Sequence, residues 1–316
     1  MKETFASASF MTQSKAKINV LPANPEGEAG RFPSWLHRKI PSGGKIAETN
    51  RILSHLGLNT VCEEAKCPNR LECYSHNTAT FLALGKACTR ACGFCDIDFT
   101  KTPKAPDPEE PSKIAQACKE LGLEHVVITM VARDDLQDQG SLHIVKIIEE
   151  IRRLNPKLTT EVLVSDFCGE QEAILNVIKA RPGIYNHNME TVRRLTPKVR
   201  HRATYERSLE VLKFVKQQDP SIPTKSGIML GLGETQEEVF ETIDDLALIG
   251  LDILTMGQYL QASRLKLPVR AFVTPEQFKV YEDYARSKGI KEVFAGPFVR
   301  SSYHAFDVKK SFEAQS

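Results

Sequence analysis

From about residue 80 the chain alternates short apolar, β-branched segments with longer amphipathic ones, the pattern of repeated βα units around a parallel sheet. Strands are predicted over Thr80–Leu84, His125–Met130, Thr160–Val164, Ile184–His187, Ser226–Leu230, Ile253–Tyr259 and Val293–Ala295. Between them, Ser141–Leu154 places Leu142, Val145, Ile148, Ile151 and Leu154 at helical spacing, and Ser208–Val215 does so with Leu209, Leu212, Phe214 and Val215. Both stripes are expected to face the sheet. Thr235-Gln236-Glu237-Glu238 reads as a capping box, and Thr274-Pro275 puts proline at a first helical position. In such a βα barrel the working groups sit on loops after the strands' carboxyl ends. That points to Arg133-Asp134-Asp135, Asp166, Asn188, Glu190, Gly231 to Glu234, and Gln258.

The periodicity fails before residue 45, where Pro22, Pro25, Pro33 and Pro41 stand among glycines; this reads as an extended arm. The expected organisation is an arm over 1–45, a cysteine-bearing segment over 46–79, a barrel over 80–290 and a carboxyl-terminal segment over 291–316. At 316 residues, one main domain with extensions is the default. Lysines and arginines number 42 against 40 acids, so no net field draws the chain to nucleic acid or anionic lipid. Met1 to Arg31 holds no apolar run long enough for a signal core, and no later stretch reaches membrane-spanning length. A cytoplasmic protein is expected, and in a reducing compartment clustered thiols bind metal or do redox work more often than they pair as disulfides.

Six of the eight cysteines form two triplets, Cys62-Cys67-Cys73 and Cys88-Cys92-Cys95. A closed site on zinc or an iron-sulfur cluster normally takes about four ligands, so each triplet leaves one position open. The second spacing lets one compact loop present three sulfurs to a cubane whose fourth iron stays free for a ligand carrying an amine and a carboxylate. Zinc is the competing account, but its sites usually pair two-residue spacings with a nearby fourth Cys or His, and only the lone His76 is at hand. Cys118 reads as a small buried apolar residue; Cys168 lies near the rim, with a structural role favoured there too.

The second triplet, with Phe94 before its last cysteine, resembles the radical SAM superfamily. The surroundings extend the likeness. Cys62-Glu63-Glu64-Ala65-Lys66-Cys67-Pro68-Asn69-Arg70-Leu71-Glu72-Cys73 is similar to the auxiliary-cluster motif of the lipoyl synthase family. Arg133-Asp134-Asp135-Leu136, Asn186-His187-Asn188-Met189-Glu190-Thr191, Gly231-Leu232-Gly233-Glu234-Thr235, Gly257-Gln258-Tyr259-Leu260-Gln261 and Arg300-Ser301-Ser302-Tyr303 follow in the family's order, from about residue 45 to 305.

The resemblance implies an α/β fold, a partial (βα)6-type TIM barrel of the radical SAM kind with amino- and carboxyl-terminal extensions. It implies two [4Fe-4S] clusters and S-adenosylmethionine. Cys88, Cys92 and Cys95 would hold the SAM-binding cluster; Cys62, Cys67, Cys73 and the Ser302 oxygen would hold the auxiliary one. Asn188 and Glu190 would border the SAM site, a helix cap being their plain alternative. Gly231 and Gly233 permit close approach to a ligand, although a strand-to-helix turn alone also calls for glycine. Adjacent serines mostly make turns, so Ser302 as a ligand rests on the motif alone. Arg300 reads as an anchor for the tail or for a substrate carboxyl, or as a solvated residue beside a turn.

The implied reaction inserts two sulfurs at carbons 6 and 8 of a protein-bound octanoyl-lysine. A 5′-deoxyadenosyl radical would remove each hydrogen, and the auxiliary cluster would give up sulfide. Implied partners are octanoylated lipoyl carriers (2-oxoacid dehydrogenase E2 subunits and glycine cleavage H protein), a reduced ferredoxin or flavodoxin, and an iron-sulfur carrier; no nucleic acid or membrane is expected. Rival readings are another radical SAM sulfur-inserting enzyme and an iron-sulfur scaffold without catalysis. The chain departs from the family pattern at Met130-Val131-Ala132, Arg193, Ala262 and Leu265-Lys266, which bears on the substrate pocket more than on the reaction.

Overall fold

The computed structural model describes residues 20–22, 32–37, 44–75 and 79–302. Its centre is a parallel sheet of seven strands: β1 (Thr80–Ala83), β2 (His125–Met130), β3 (Thr159–Leu163), β4 (Ile184–Asn186), β5 (Thr224–Leu230), β6 (Ile253–Gln258) and β7 (Glu292–Gly296). They lie side by side in chain order, every neighbouring pair parallel. No pairing joins β7 to β1 among the described residues, so six βα units and a final strand make a partial barrel.

Helices fill the crossovers. Three precede the barrel: α1 (Gly44–Leu56), α2 (Val61–Glu64) and α3 (Arg70–Ser75). Then come α4 (Glu110–Glu120), α5 (Ser141–Leu154), α6 (Gln171–Lys179), α7 (Thr196–Val199), α8 (Tyr205–Gln218), α9 (Gln236–Leu248) and α10 (Pro275–Ser287). Strands covered on both faces need no alternation, and all six residues of β2 and of β6 are buried. The apolar core forms one large group around α4, α5 and α6 and a second around α8, α9 and α10.

The helix signals hold with one shift of phase. Thr235 accepts from the Glu238 amide while the Glu238 carboxylate accepts from the Thr235 amide, a complete capping box. Thr274 caps α10 ahead of Pro275. On α5, however, the buried stripe is Ile144, Ile147, Ile148 and Ile151, and Leu142 is half exposed. Ser141 and His143, on either side of Leu142 in the same turn, are buried, so the buried face is turned from the predicted stripe and shares only Ile148 and Ile151 with it. On α8 the buried residues include Tyr205, Ser208, Val211, Leu212 and Val215, with Leu209 and Phe214 flanking them.

Part of the amino-terminal arm is paired: Val20–Pro22 runs antiparallel to Ala271–Val273. His76, Tyr303 and the rest of the tail lie outside the described residues. Low in the barrel, Lys225 and Glu161, both fully buried, pair at 3.0 Å. Asn186 donates to the same carboxylate at 2.8 Å and His125 stands 3.5 Å away. Burial alone would raise Glu161, but Lys225 and His125 outweigh it and hold the carboxyl at about 2. His125 and Lys225 stand at the amino ends of β2 and β5, so this charged cluster lies away from the carboxyl ends of those strands.

Candidate functional site

The second triplet follows β1 on a loop tied down at both ends. Ala87–Cys88 pairs in parallel with Asp98–Phe99, and the Thr100 amide donates to the Cys88 carbonyl at 2.9 Å. Thr89 reaches over to the loop after β2, its hydroxyl donating to the Ala132 carbonyl at 2.9 Å and accepting from the Asp134 amide at 3.1 Å. Between Cys92 and Cys95 the chain passes close to two others. The Gly93 amide donates to the Val199 carbonyl and its carbonyl accepts from the Leu267 amide, both at 2.9 Å. A Cβ at Gly93 would come within 2.9 Å of the Leu267 side chain and 3.1 Å of the Lys198 carbonyl, so any larger residue there would have to push both aside.

Arg90 locks this loop to the rim. Its guanidinium grips Asp134 through Nε and Nη2 at 2.8 to 3.0 Å and Asp166 through Nη1 at 2.7 Å. Arg207 adds a second contact to Asp166 at 3.0 Å. Burial alone would raise Asp166, but the arginines hold it at about 2. Asp134 and Asp166, singled out in the sequence as rim acids, therefore anchor the loop and do not line the cavity. Cys168 is exposed beside them, 3.2 Å from Arg90 Nη2, and Cys118 is buried as expected.

The first triplet sits on α2, α3 and their connection. Thr60 caps α2 and bridges to Phe81 of β1, and the Cys67 amide returns to the Cys62 carbonyl at 3.2 Å. Tyr74, buried beside Cys73, hydrogen-bonds Thr60 Oγ1 at 2.9 Å. Two contacts tie this segment elsewhere: Lys66 meets Asp96, the neighbour of Cys95, at 2.6 Å, and Asn69 Nδ2 donates to the Phe298 carbonyl at 2.8 Å. Burial pushes the Cys62, Cys92 and Cys95 thiols up to about 12, 11 and 12, so without metal they stay protonated at neutral pH.

A cavity of about 540 Å³ opens at the carboxyl ends of the strands. Cys67, Cys88, Cys92, Cys95 and Ser302 line it, as do Asn188, Glu190, Arg200 and Gln258. Cys62 and Cys73 fall outside its lining; Cys62 lies buried near Cys67, whose charge helps raise it. Gly231 and Gly233 also stand outside the lining. Both have positive φ, and a Cβ on Gly231 would overlap Gln258 Nε2 and the Ala271 carbonyl, so the turn itself accounts for the glycine there.

The bend after β4 is the polar wall. Arg200, missed in the sequence, donates Nη1 to the Asn188 carbonyl at 2.8 Å and the Met189 carbonyl at 3.1 Å. Only folding brings this residue from α7's end to that bend. Glu190 takes left-handed backbone there, and its carboxyl is raised by burial, with Arg200 and Asn188 offsetting part of the rise. His187, pushed down to about 4 by burial and by Arg200, is neutral: Nδ1 donates to the Val164 carbonyl and Nε2 accepts from Ser208.

The residues fit a ligand with hydroxyl or ammonium donors. Asn188 Oδ1 is buried without a partner, and Gly227 leaves the space beside it, where a Cβ would stand 2.8 Å from that oxygen. Cys88, Cys92 and Cys95 bring three thiols to this cavity, soft donors suited to an iron-sulfur cluster.

The sequence profile of the Radical SAM superfamily matches residues 82–246, so the fold and the cysteine loop are those of a radical SAM enzyme. The profile for the N-terminal domain of lipoyl synthase of the Radical SAM family matches residues 4–67, extending the likeness into the arm. Lipoyl synthase of Protochlamydia amoebophila is 56% identical over 297 residues, 92% of this chain and of that one. That of Chlamydia trachomatis serovar A is 53% identical over 293 residues, 93% of each. The chain belongs to the lipoyl synthase family, enzymes that use a [4Fe-4S] cluster and S-adenosylmethionine. Among solved structures, Streptococcus suis SuiB bound to S-adenosylmethionine superposes with a TM-score of 0.54 at 13% identity, over 72% of this chain and 53% of that one. Methylornithine synthase (PylB) gives 0.52 at 13%, over 85% and 94%. Both show the shared fold.

Proposed function

We propose that this chain inserts sulfur at carbons 6 and 8 of an octanoyl group carried on a lysine of a lipoyl carrier domain. The observation that carries the reading is the single cavity lined both by Cys88, Cys92 and Cys95 and by Cys67 and Ser302. In this reading Cys88, Cys92 and Cys95 hold the SAM-binding [4Fe-4S] cluster. Cys62, Cys67, Cys73 and Ser302 hold a second, auxiliary one. The chemistry supplied by the bound groups is reductive cleavage of S-adenosylmethionine, hydrogen abstraction from the octanoyl chain and donation of sulfide.

The protein's share is binding, orientation and exclusion of water. Asn188 Oδ1 accepts a hydroxyl or ammonium hydrogen of S-adenosylmethionine, while Arg200 fixes the bend that presents it. Glu190, beside it, receives a further donor. Gly231 and Gly233 act through the turn that seats Gln258 rather than by touching the ligand. Leu82, Ile97, Val131, Leu163, Ile228 and Met229 give the cavity an apolar wall suited to an alkyl chain. Met130, Val131, Ala132 and Ala262, where the family pattern is broken, line it, whereas Arg193, Leu265 and Lys266 do not.

The substrates are octanoylated E2 domains and H protein. The electron comes from a reduced ferredoxin or flavodoxin, and an iron-sulfur carrier restores the auxiliary cluster. Among the described residues no helix is long and apolar enough to cross a membrane, in keeping with action in the cytoplasm. Anaerobic incubation of the reconstituted chain with octanoyl carrier, dithionite and S-adenosylmethionine tests the reading. A carrier that gains two sulfurs by mass supports it; cofactor cleavage without sulfur gain overturns it.

A further inference from the structure

Phe298 to Ser302 touches both sets of cysteines' surroundings. The Phe298 carbonyl accepts from Asn69, which lies between Cys67 and Cys73. The Val299 carbonyl lies against Gly257 of β6. Ser301 Oγ accepts from Asn188 Nδ2 at 3.1 Å, on the other wall.

That last contact fixes an orientation. Asn188 Nδ2 also donates to Glu190 Oε1 at 3.0 Å, so both its hydrogens are committed. A flipped amide would point an acceptor at the Glu190 carboxylate. With the nitrogen held by Glu190 and Ser301, Oδ1 becomes the buried atom without a partner, beside Gly227 in the cavity lining.

We propose that Ser301 is a positioning residue that sets the Asn188 amide for S-adenosylmethionine. Because Ser302 is the next residue, its hold on the auxiliary centre and the affinity for S-adenosylmethionine are linked through this hydrogen bond. The inference rests on the functional reading above. The neighbouring serines divide their duties, one towards each centre. Linkage is reciprocal: whatever pins the segment tightens cofactor binding, and bound cofactor tightens the segment's hold.

The test is S-adenosylmethionine affinity, by anaerobic calorimetry on holoenzyme with both clusters reconstituted. One neutral hydrogen bond corresponds to about fivefold in affinity. Ser301→Ala is expected to weaken binding by about that factor with iron content, melting temperature and the rate of 5′-deoxyadenosine release at saturating cofactor unchanged. Ser301→Thr, which keeps the hydroxyl, restores affinity. Ser302→Ala weakens binding by a similar factor, and the double variant binds no more weakly than either single one, since both act through one contact. If Ser301→Ala fails to load iron, Ser301→Val set against Ser301→Thr makes the same comparison at equal size. Unchanged affinity in Ser301→Ala, no rescue by threonine, or losses that multiply to about 25-fold in the double variant would each overturn the inference. An unsubstituted holoenzyme that binds no S-adenosylmethionine overturns the functional reading itself, and this inference with it.

Discussion

Gly257→Ala probes the carboxyl-terminal segment through a single methyl group. A Cβ at that position would overlap the Val299 carbonyl oxygen, falling about 1 Å inside the closest approach that real Cβ atoms make. The sheet is the stiffer partner: Gly257 is registered against Met229 of β5 and Gly296 of β7. The segment lies beyond β7, outside the sheet, and its ties include Asn69 to Phe298, Asn188 to Ser301 and the Val299 amide to the Gly296 carbonyl at 3.1 Å. The segment therefore yields, carrying Ser302 with it by about 1 Å, a misplacement that costs on the order of 100-fold in rate where reacting groups must be aligned. The cysteines of the second triplet lie on a different loop and stay in place. The assay is anaerobic turnover at saturating S-adenosylmethionine, scoring 5′-deoxyadenosine and lipoyl product separately. Product is expected to fall about 100-fold while cofactor cleavage stays within about threefold of the unsubstituted enzyme. Undiminished product, or equal loss of both, refutes the reasoning.

In the proposed reading, exchanging single cysteines separates two cluster centres. Cys88→Ala is expected to abolish 5′-deoxyadenosine and leave roughly half the iron, whereas Cys67→Ala spares cofactor cleavage and stops sulfur insertion, both read by product analysis and metal counting. Ser302→Ala lowers lipoyl yield more than cleavage at saturating cofactor; an unchanged yield returns that residue to an ordinary turn. Lys225→Met strands the buried Glu161 carboxylate and is expected to cost about 3–5 kcal/mol in chemical denaturation at neutral pH. The pH dependence reverses sign. In the unsubstituted chain Glu161 is depressed to about 2, so its stabilisation is present above the ordinary carboxyl range and lost as pH falls towards 2. Without Lys225, burial raises the carboxyl, so the variant gains stability as pH falls from 7 towards 5; a parallel loss in both proteins contradicts the pairing.

All seven barrel strands were legible because each is a short β-branched run between turn residues, and their boundaries moved by two residues at most. The phase of α5 differs because two overlapping apolar stripes share Ile148 and Ile151, and the helix buries the one with Ile144 and Ile147 and leaves Leu142 exposed. Of the residues that line the cavity, Cys67, Cys88, Cys92 and Cys95 stood out by spacing, and Asn188 and Glu190 by following a strand. Arg90 and Arg200 did not: Arg90 meets Asp134 44 residues away and Asp166 beyond it, pairings that exist only once the loops converge. Gly231 carried an ambiguous signal, since a turn and a ligand approach ask for the same residue. The joining of Asn69 to Phe298, 229 residues apart, is likewise a product of the closed architecture.

The proposed division of labour between the two cysteine triplets is tested most directly by the origin of the inserted sulfur. The chain would be reconstituted with isotopically heavy sulfide, freed of excess reagent, and allowed a single turnover on octanoyl carrier with light sulfur in every other component. Heavy sulfur at both carbon 6 and carbon 8 is the predicted result. Product carrying only light sulfur would mean that the Cys62, Cys67 and Cys73 centre is no donor.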